Sequence, residues 1–168
     1  MAATGNTTLN KGIPVITDAF VVIVKTEWNS AIVDKLEEGC KNIFSTSGTE
    51  TITLVVPGAV EIGFAVRAYA KSNNRFADAF ITLGTVIRGD TPHFDYVCKT
   101  VTDSVTSLNL TLDTPVIFGV LTLENEEQAY ERVGGKHGHK GEEAAITALK
   151  MIELNRTLKT PPTTTSAP

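Results

Sequence analysis

The chain has 168 residues, 42% of them hydrophobic and 20% charged, which suits one soluble domain with a single core. A formal net charge of −4 excludes the broadly basic surface of a nucleic-acid or anionic-membrane binder, yet leaves room for an anionic substrate held by a few local cations. Cys40 and Cys98 lie in apolar helical stretches without metal-type spacing, so both read as buried free thiols of a reducing compartment. The N-terminus lacks a basic-then-apolar leader pattern, and no apolar run approaches ~18 residues. The expected location is therefore the cytoplasm, with no membrane and no nucleic acid among the partners. The Asn-x-Thr triplets at Asn6, Asn109 and Asn155 are then chance matches to a glycosylation signal.

In chain order, residues 1–13 are polar and expected to be mobile, and residues 14–159 form the domain. Phe20-Val21-Val22-Ile23-Val24 is a continuous β-branched run, as expected of a strand covered on both faces. After Glu27-Trp28-Asn29-Ser30, the residues Ile32, Leu36, Cys40 and Ile43 recur at helical spacing up to about Gly48. A second strand, 51–56, ends at Pro57-Gly58, and Ile62, Val66 and Tyr69 mark a second helix. A third strand covers 79–83. The third helix carries Phe94, Val97, Val101, Val105 and Leu108 on one face. A fourth strand starts at Pro115, a position where proline is tolerated. A short acidic helix (124–133), a glycine-rich joint (134–141) and a final helix through Ala144, Ala148 and Ile152 follow. The tail 160–168 is too polar and proline-rich to pack and is expected to be disordered. Four buried strands alternating with helices imply an α/β fold: a flavodoxin-like three-layer sandwich, with a four-stranded parallel sheet and helices on both faces. Ligands bind such sheets beyond the carboxyl ends of the strands, so four polar or glycine-containing loops are expected to meet on one edge.

The stretch from Gly84 to Phe94 is the most suggestive of these loops. The strand is expected to stop at Leu83 and to feed the helix through a turn that leaves backbone N–H groups free for an anion. Gly84 and Gly89 are expected to take backbone angles that other residues resist, and Asp90 or Thr91 to cap the helix. His93 then falls in the first turn, where a general acid/base would stand beside a phosphorylated substrate. The spacing matches neither of the glycine-rich nucleotide motifs. Trp28, at a strand's end, either stacks on a planar ligand or packs, and Asn29 is expected to cap the helix after it. Glu61 sits near a helix N-terminus, where a carboxylate is favourable with or without a ligand. Phe118 lies mid-strand and reads as core. The run Arg132-Val133-Gly134-Gly135-Lys136-His137-Gly138-His139-Lys140-Gly141 gathers cations on a permissive backbone, as a phosphate contact or as a solvated linker. His137 and His139, spaced i,i+2 without a third ligand, do not make a zinc site, and no metal is expected.

Together, Glu27-Trp28-Asn29, Val56 to Glu61, Gly84 to Tyr96, Pro115 to Thr122 and Gln128 to Gly141 resemble the lumazine synthase family, in order and with essentially no insertion from about residue 18 to 155. That resemblance implies condensation of 5-amino-6-(D-ribitylamino)uracil with 3,4-dihydroxy-2-butanone 4-phosphate, without metal or organic cofactor. It implies Trp28 stacking on the pyrimidine, Ala59, Val60 and Glu61 bordering the ribityl chain, and Thr85, Val86 and Ile87 edging the heterocycle. It further implies phosphate held by Asp90, Thr91 and Arg132, with Gly89 and Lys136 as possible contributors, and His93 as the proton donor and acceptor. Phe118, Arg132 and Lys140 would come from an adjacent subunit of a homopentamer, which in many members assembles into a 60-subunit shell, with riboflavin synthase as a candidate partner. Two positions depart from the family pattern: Val60, where an aromatic residue is usual, and His139, where Asn is common. The rival readings are a flavin- or lumazine-binding carrier without turnover and a shell scaffold without activity.

Overall fold

The computed structural model describes residues 9–72 and 75–160. Four strands, β1 (Phe20–Thr26), β2 (Glu50–Val56), β3 (Ala79–Ile87) and β4 (Val116–Leu123), form one parallel sheet in the order β2-β1-β3-β4. Helices α1 (Ser30–Ser47) and α5 (Lys140–Lys159) cover one face; α2 (Ile62–Lys71) and α3 (His93–Thr111) cover the other. The three-layer α/β sandwich read from the residue pattern is the observed one.

The strands sort their own side chains. Successive residues point to opposite faces, so Val21 and Ile23 enter the core shared with Leu36, Cys40 and Leu149. Phe20, Val22 and Val24 enter the core shared with Ile62, Val66, Val101 and Val105. β1 and β3 are central and almost wholly buried, and β2, at the edge, alternates exposed and half-buried. α1 ends where Gly48 takes a left-handed conformation (φ 72°) and returns its N–H to the Phe44 carbonyl. α1 and α5 pack backbone to backbone. A Cβ on Gly141 would stand 2.0 Å from the Leu36 carbonyl oxygen, and the Cys40 thiol donates to the Gly141 carbonyl at 3.1 Å.

Several expectations are corrected. β3 does not stop at Leu83: Gly84 to Ile87 pair with Val120 to Leu123, and the turn comprises only Arg88 to Pro92. Neither Gly84 nor Gly89 has positive φ, and Gly84 is needed because Thr26 packs against it. Asn29 stands at the cap of α1, but its side chain does not cap the helix. Pro92 stands at the cap of α3 and no side chain caps the helix; the Thr91 hydroxyl accepts from the His93 N–H at 3.4 Å in the turn just before it, and Asp90 makes no such bond. Cys40 is buried as expected, with burial pushing its thiol up to about 12, whereas Cys98 is only half-buried. The acidic helix is shorter, α4 (Glu126–Tyr130). The glycine-rich joint is an antiparallel ribbon of β5 (Val133–Gly135) and β6 (Gly138–His139). Residues 9–13, inside the stretch expected to be mobile, are tied to α5, where Lys150 donates to the carbonyls of Leu9 and Lys11. The 161–168 part of the expected tail, and residues 1–8, lie outside the described residues. Among the described residues no helix is long and apolar enough to cross a membrane.

Candidate active site

The chain leaves β1 toward β2 on one side and later crosses to β3 on the other. The carboxyl ends of β1 and β3 therefore part, and a crevice opens between the loops that follow them. This crevice is a cavity of about 910 Å³. The loop after β1 contributes Glu27, Trp28 and Asn29. The loop after β2 contributes Pro57 and Gly58, followed by a 3₁₀ turn of Ala59, Val60 and Glu61. The end of β3 contributes Thr85, Val86 and Ile87; beyond it come Gly89, Thr91, and His93, Phe94 and Val97 of α3. A shallower hollow of about 630 Å³ over β2 is partly covered by the Arg75 guanidinium, 4.3 Å from the Phe20 ring, and its two charged groups, Arg75 and Glu50, are already paired with each other.

Each lining group has a local cause. Glu27 N–H donates to the Val56 carbonyl at 2.8 Å and Trp28 N–H to the Pro57 carbonyl at 3.2 Å, so the loops after β1 and β2 are stitched together. Backbone bonds position Trp28, and the residue is 76% exposed at the cavity's lip. The Glu61 carboxylate accepts from the Gly58 N–H at 3.0 Å, which turns it back over its own loop and into the cavity. Val60 is exposed beside it, a smaller wall than an aromatic ring would make. His93 is the first residue of α3, exposed and facing the crevice.

The cavity contains Trp28, Ala59, Val60, Glu61, Thr85, Val86, Ile87, Gly89, Thr91 and His93 together. It does not contain Asp90, which is exposed outside it, nor Phe118, Arg132, Lys136 or Lys140. Within the subunit these last four have other surroundings. Arg132 donates to the Gln128 carbonyl at 2.8 Å, and Lys136 pairs with Glu131 at 2.5 Å. Lys140 bonds both Glu143 oxygens at 2.7 and 2.8 Å, and Phe118 is half-buried at the margin of the core beneath α2 and α3. Glu131 has its carboxyl held below the ordinary value, first by the Lys136 hydrogen bond and then by the charges around it.

Arg88 is the cation of the turn itself, but it is already engaged. Its Nε donates to Glu124 at 2.9 Å, its terminal nitrogens reach Asp95 at 3.1 and 3.4 Å, and its guanidinium lies 4.1 Å from the Phe94 ring. These contacts brace the first turn of α3, and so His93, against the end of β4. Asn29 and Phe94 were not assigned site roles from the sequence. Asn29's signal was its position after a strand, which also suits a helix cap; Phe94 was read as core from its helical spacing. Among the described residues no three His, Cys, Asp or Glu side chains gather as a metal site. The ionisable lining is thus two carboxylates and one imidazole, with an exposed aromatic wall. It can stack and orient a planar polar ligand and move a proton, and it has no lysine or arginine of its own to hold an anion.

A family model described as 6,7-dimethyl-8-ribityllumazine synthase matches residues 18–156. Curated relatives carry the same description. One from Parabacteroides distasonis is 44% identical over 146 residues, covering 85% of this chain and 90% of the relative. One from Bdellovibrio bacteriovorus is 49% identical over 137 residues, covering 81% and 75%. One from Pectobacterium atrosepticum is 45% identical over 154 residues, covering 89% and 98%.

Proposed function

The chain belongs to the 6,7-dimethyl-8-ribityllumazine synthase family, and from that premise we propose how its own residues carry the family's reaction. It is a transferase of riboflavin biosynthesis that condenses 5-amino-6-(D-ribitylamino)uracil with 3,4-dihydroxy-2-butanone 4-phosphate and releases phosphate and water. In the proposed site the uracil ring stacks on Trp28 with its polar edge toward Thr85, Val86 and Ile87. The ribityl chain runs past Ala59 and Val60, its hydroxyls donating to the Glu61 carboxylate. The 5-amino group and the ketone, held side by side, form an imine with loss of water. Much of the acceleration then comes from having paid the entropy of bringing two substrates together.

The remaining steps need a proton to be taken from carbon and returned. His93 is the imidazole of the cavity, able to accept a proton on one nitrogen and donate from the other, and it takes the proton as phosphate leaves and returns one during tautomerisation. The ribitylamino nitrogen then attacks the remaining carbonyl, whose oxygen leaves as a second water, and the ring closes. Thr91 and the backbone of the turn, flanked by Gly89 and Asp90, receive the phosphate together with the positive end of α3.

One observation carries the oligomeric part of the proposal. The subunit's cavity is lined by Glu27, Glu61 and His93 and no lysine or arginine, which is no place for a phosphate dianion. That lining supports a second copy as the source of the cations. We assign the phosphate contact to Arg132 of an adjacent subunit, with Phe118 and Lys140 of that subunit completing the pocket around the uracil and Lys136 as a further contributor. The assembly is then a homopentamer with shared sites. The short connection through 134–141 favours a 60-subunit shell built from such pentamers in the cytoplasm, with riboflavin synthase as the enclosed partner.

The test is direct. The purified protein, given both substrates, should produce lumazine absorbance, and His93→Ala and Arg132→Ala should each slow it by about 10². Binding without product would favour a carrier, and an Arg132→Ala enzyme with an unchanged Michaelis constant for the phosphate substrate would remove Arg132 from the site.

A further inference from the structure

Asn29 is the non-glycine residue with positive φ among the described residues, at φ 58° and ψ 37°. Asparagine is the side-chain-bearing type that reaches this left-handed region at least cost, so the backbone alone explains its presence. The backbone does not explain what the side chain does. At a helix cap the amide oxygen would accept from the first turn, but here Nδ2 donates to the Thr85 carbonyl at 2.8 Å, 56 residues away. The other bonds of this loop run elsewhere: Glu27 and Trp28 N–H go to Val56 and Pro57, and the Thr26 hydroxyl goes to the Trp28 carbonyl at 3.0 Å. Those bonds fix the loop to its own strand and to β2. The Asn29 amide fixes it to β3, across the crevice where the sheet order reverses.

Thr85 is the more informative end of this bond. It is 5% exposed, lines the cavity, and its hydroxyl has no hydrogen-bond partner among the described residues. That hydroxyl is sealed from solvent, so what ties Thr85 to the crevice wall is its carbonyl, held by the Asn29 amide. We propose that Asn29 is a positioning residue for the heterocyclic substrate. Its amide locks the indole wall to the carboxyl end of β3, setting the gap between Trp28 and the Thr85 backbone before the ring enters. The inference rests on the reading that the ring stacks on Trp28.

Three variants separate the two jobs of this residue. Asn29→Gly keeps the left-handed backbone and removes the amide. Asn29→Asp keeps the backbone preference and the shape but turns an acceptor toward the Thr85 carbonyl. Asn29→Ala loses both the conformation and the bond. Trp28 is the single tryptophan, so quenching of its emission reads binding of 5-amino-6-(D-ribitylamino)uracil to the whole assembled enzyme. The expected result is a rise of about tenfold in Kd and KM for this substrate in both the Gly and Asp variants. The Michaelis constant for the butanone phosphate should stay within about twofold, and the Gly variant's thermal midpoint should stay near that of the parent. An Asn29→Gly enzyme that binds the uracil like the parent would show that only the backbone conformation matters and would overturn the proposal. So would an even loss across both Michaelis constants, kcat and midpoint. Trp28→Ala, followed by product absorbance, distinguishes the layers. An unchanged KM for the uracil there removes the stacking premise, whereas a raised KM with unaffected Gly and Asp variants removes only the role given to Asn29.

Discussion

Glu37→Gln should remove most of one specific, acid-sensitive contribution to stability. Glu37 lies on α1, its side chain 9% exposed, and accepts from Lys25 and Lys41 at 2.6 Å each and from the Thr53 hydroxyl at 2.6 Å. Burial by itself would push the carboxyl up. The three donors outweigh it and bring the group from 4.5 down to about 2. A carboxylate whose folded value is depressed stabilises the fold fully above its unfolded value, so the contribution is complete above pH 4.5 and drains away as pH falls to about 2. At ~1.4 kcal/mol per pH unit, that difference amounts to about 3 kcal/mol at neutral pH. The glutamine variant keeps the size, loses the charge, and leaves Lys25 with Asp34 as its remaining carboxylate, so a loss of about 3 kcal/mol is expected. The assay is urea unfolding of parent and variant at pH 7, 4.5 and 3, at one protomer concentration so that assembly contributes equally. The difference between the two proteins should be largest at pH 7 and shrink steadily below pH 4.5. A difference that stays constant from pH 7 to pH 3 would refute the reasoning, because the stabilisation would then not depend on the Glu37 charge.

Mixing His93→Ala and Arg132→Ala subunits before assembly should restore about a quarter of parental activity, since a random quarter of shared sites then holds both intact groups; no recovery would mean that each subunit works with its own pair. Gly141→Ala should destabilise by about 1–3 kcal/mol or more, visible as a lower midpoint in scanning calorimetry, because the added methyl meets the Leu36 backbone at 2.0 Å. Gly89→Ala, with nothing within 4 Å of the added atom, should leave the midpoint unchanged and serves as its control. Arg88→Met should lower kcat/KM by about tenfold through a loosened first turn of α3, with little change in thermal midpoint, since the ion pairs it loses are solvent-screened. A drop in midpoint without a drop in kcat/KM would show that Arg88 braces the fold and not the imidazole.

Much of this molecule was legible from local pattern. The β-branched run at 20–24 and the helical recurrence of Ile32, Leu36 and Cys40 are decided by side-chain periodicity, which neighbours in sequence carry without help. The order of elements followed, and with it the edge of the sheet where ligand loops gather. His93, Trp28 and Glu61 could be picked out because each sits just past a strand, where polar and aromatic types are not needed for the core. The order of motifs also placed the chain in its family.

What the pattern could not carry depends on partners far away in sequence. β3 continues through Gly84 to Ile87 because β4 offers Val120 to Leu123 to pair with, a fact absent from either segment alone. The 134–141 stretch reads as a glycine-rich joint, yet residues 133–139 close a ribbon whose strands pair with each other. Asn29 looks like a helix cap until the fold sets the Thr85 carbonyl within its reach. Sequence by itself determined which residues had to be buried and in what periodic order, since hydrophobic burial reads off composition and spacing. Only the tertiary structure decided that the imidazole's cavity holds two carboxylates and no cation, because charge balance in a crevice is a sum over loops that meet only once the sheet has formed.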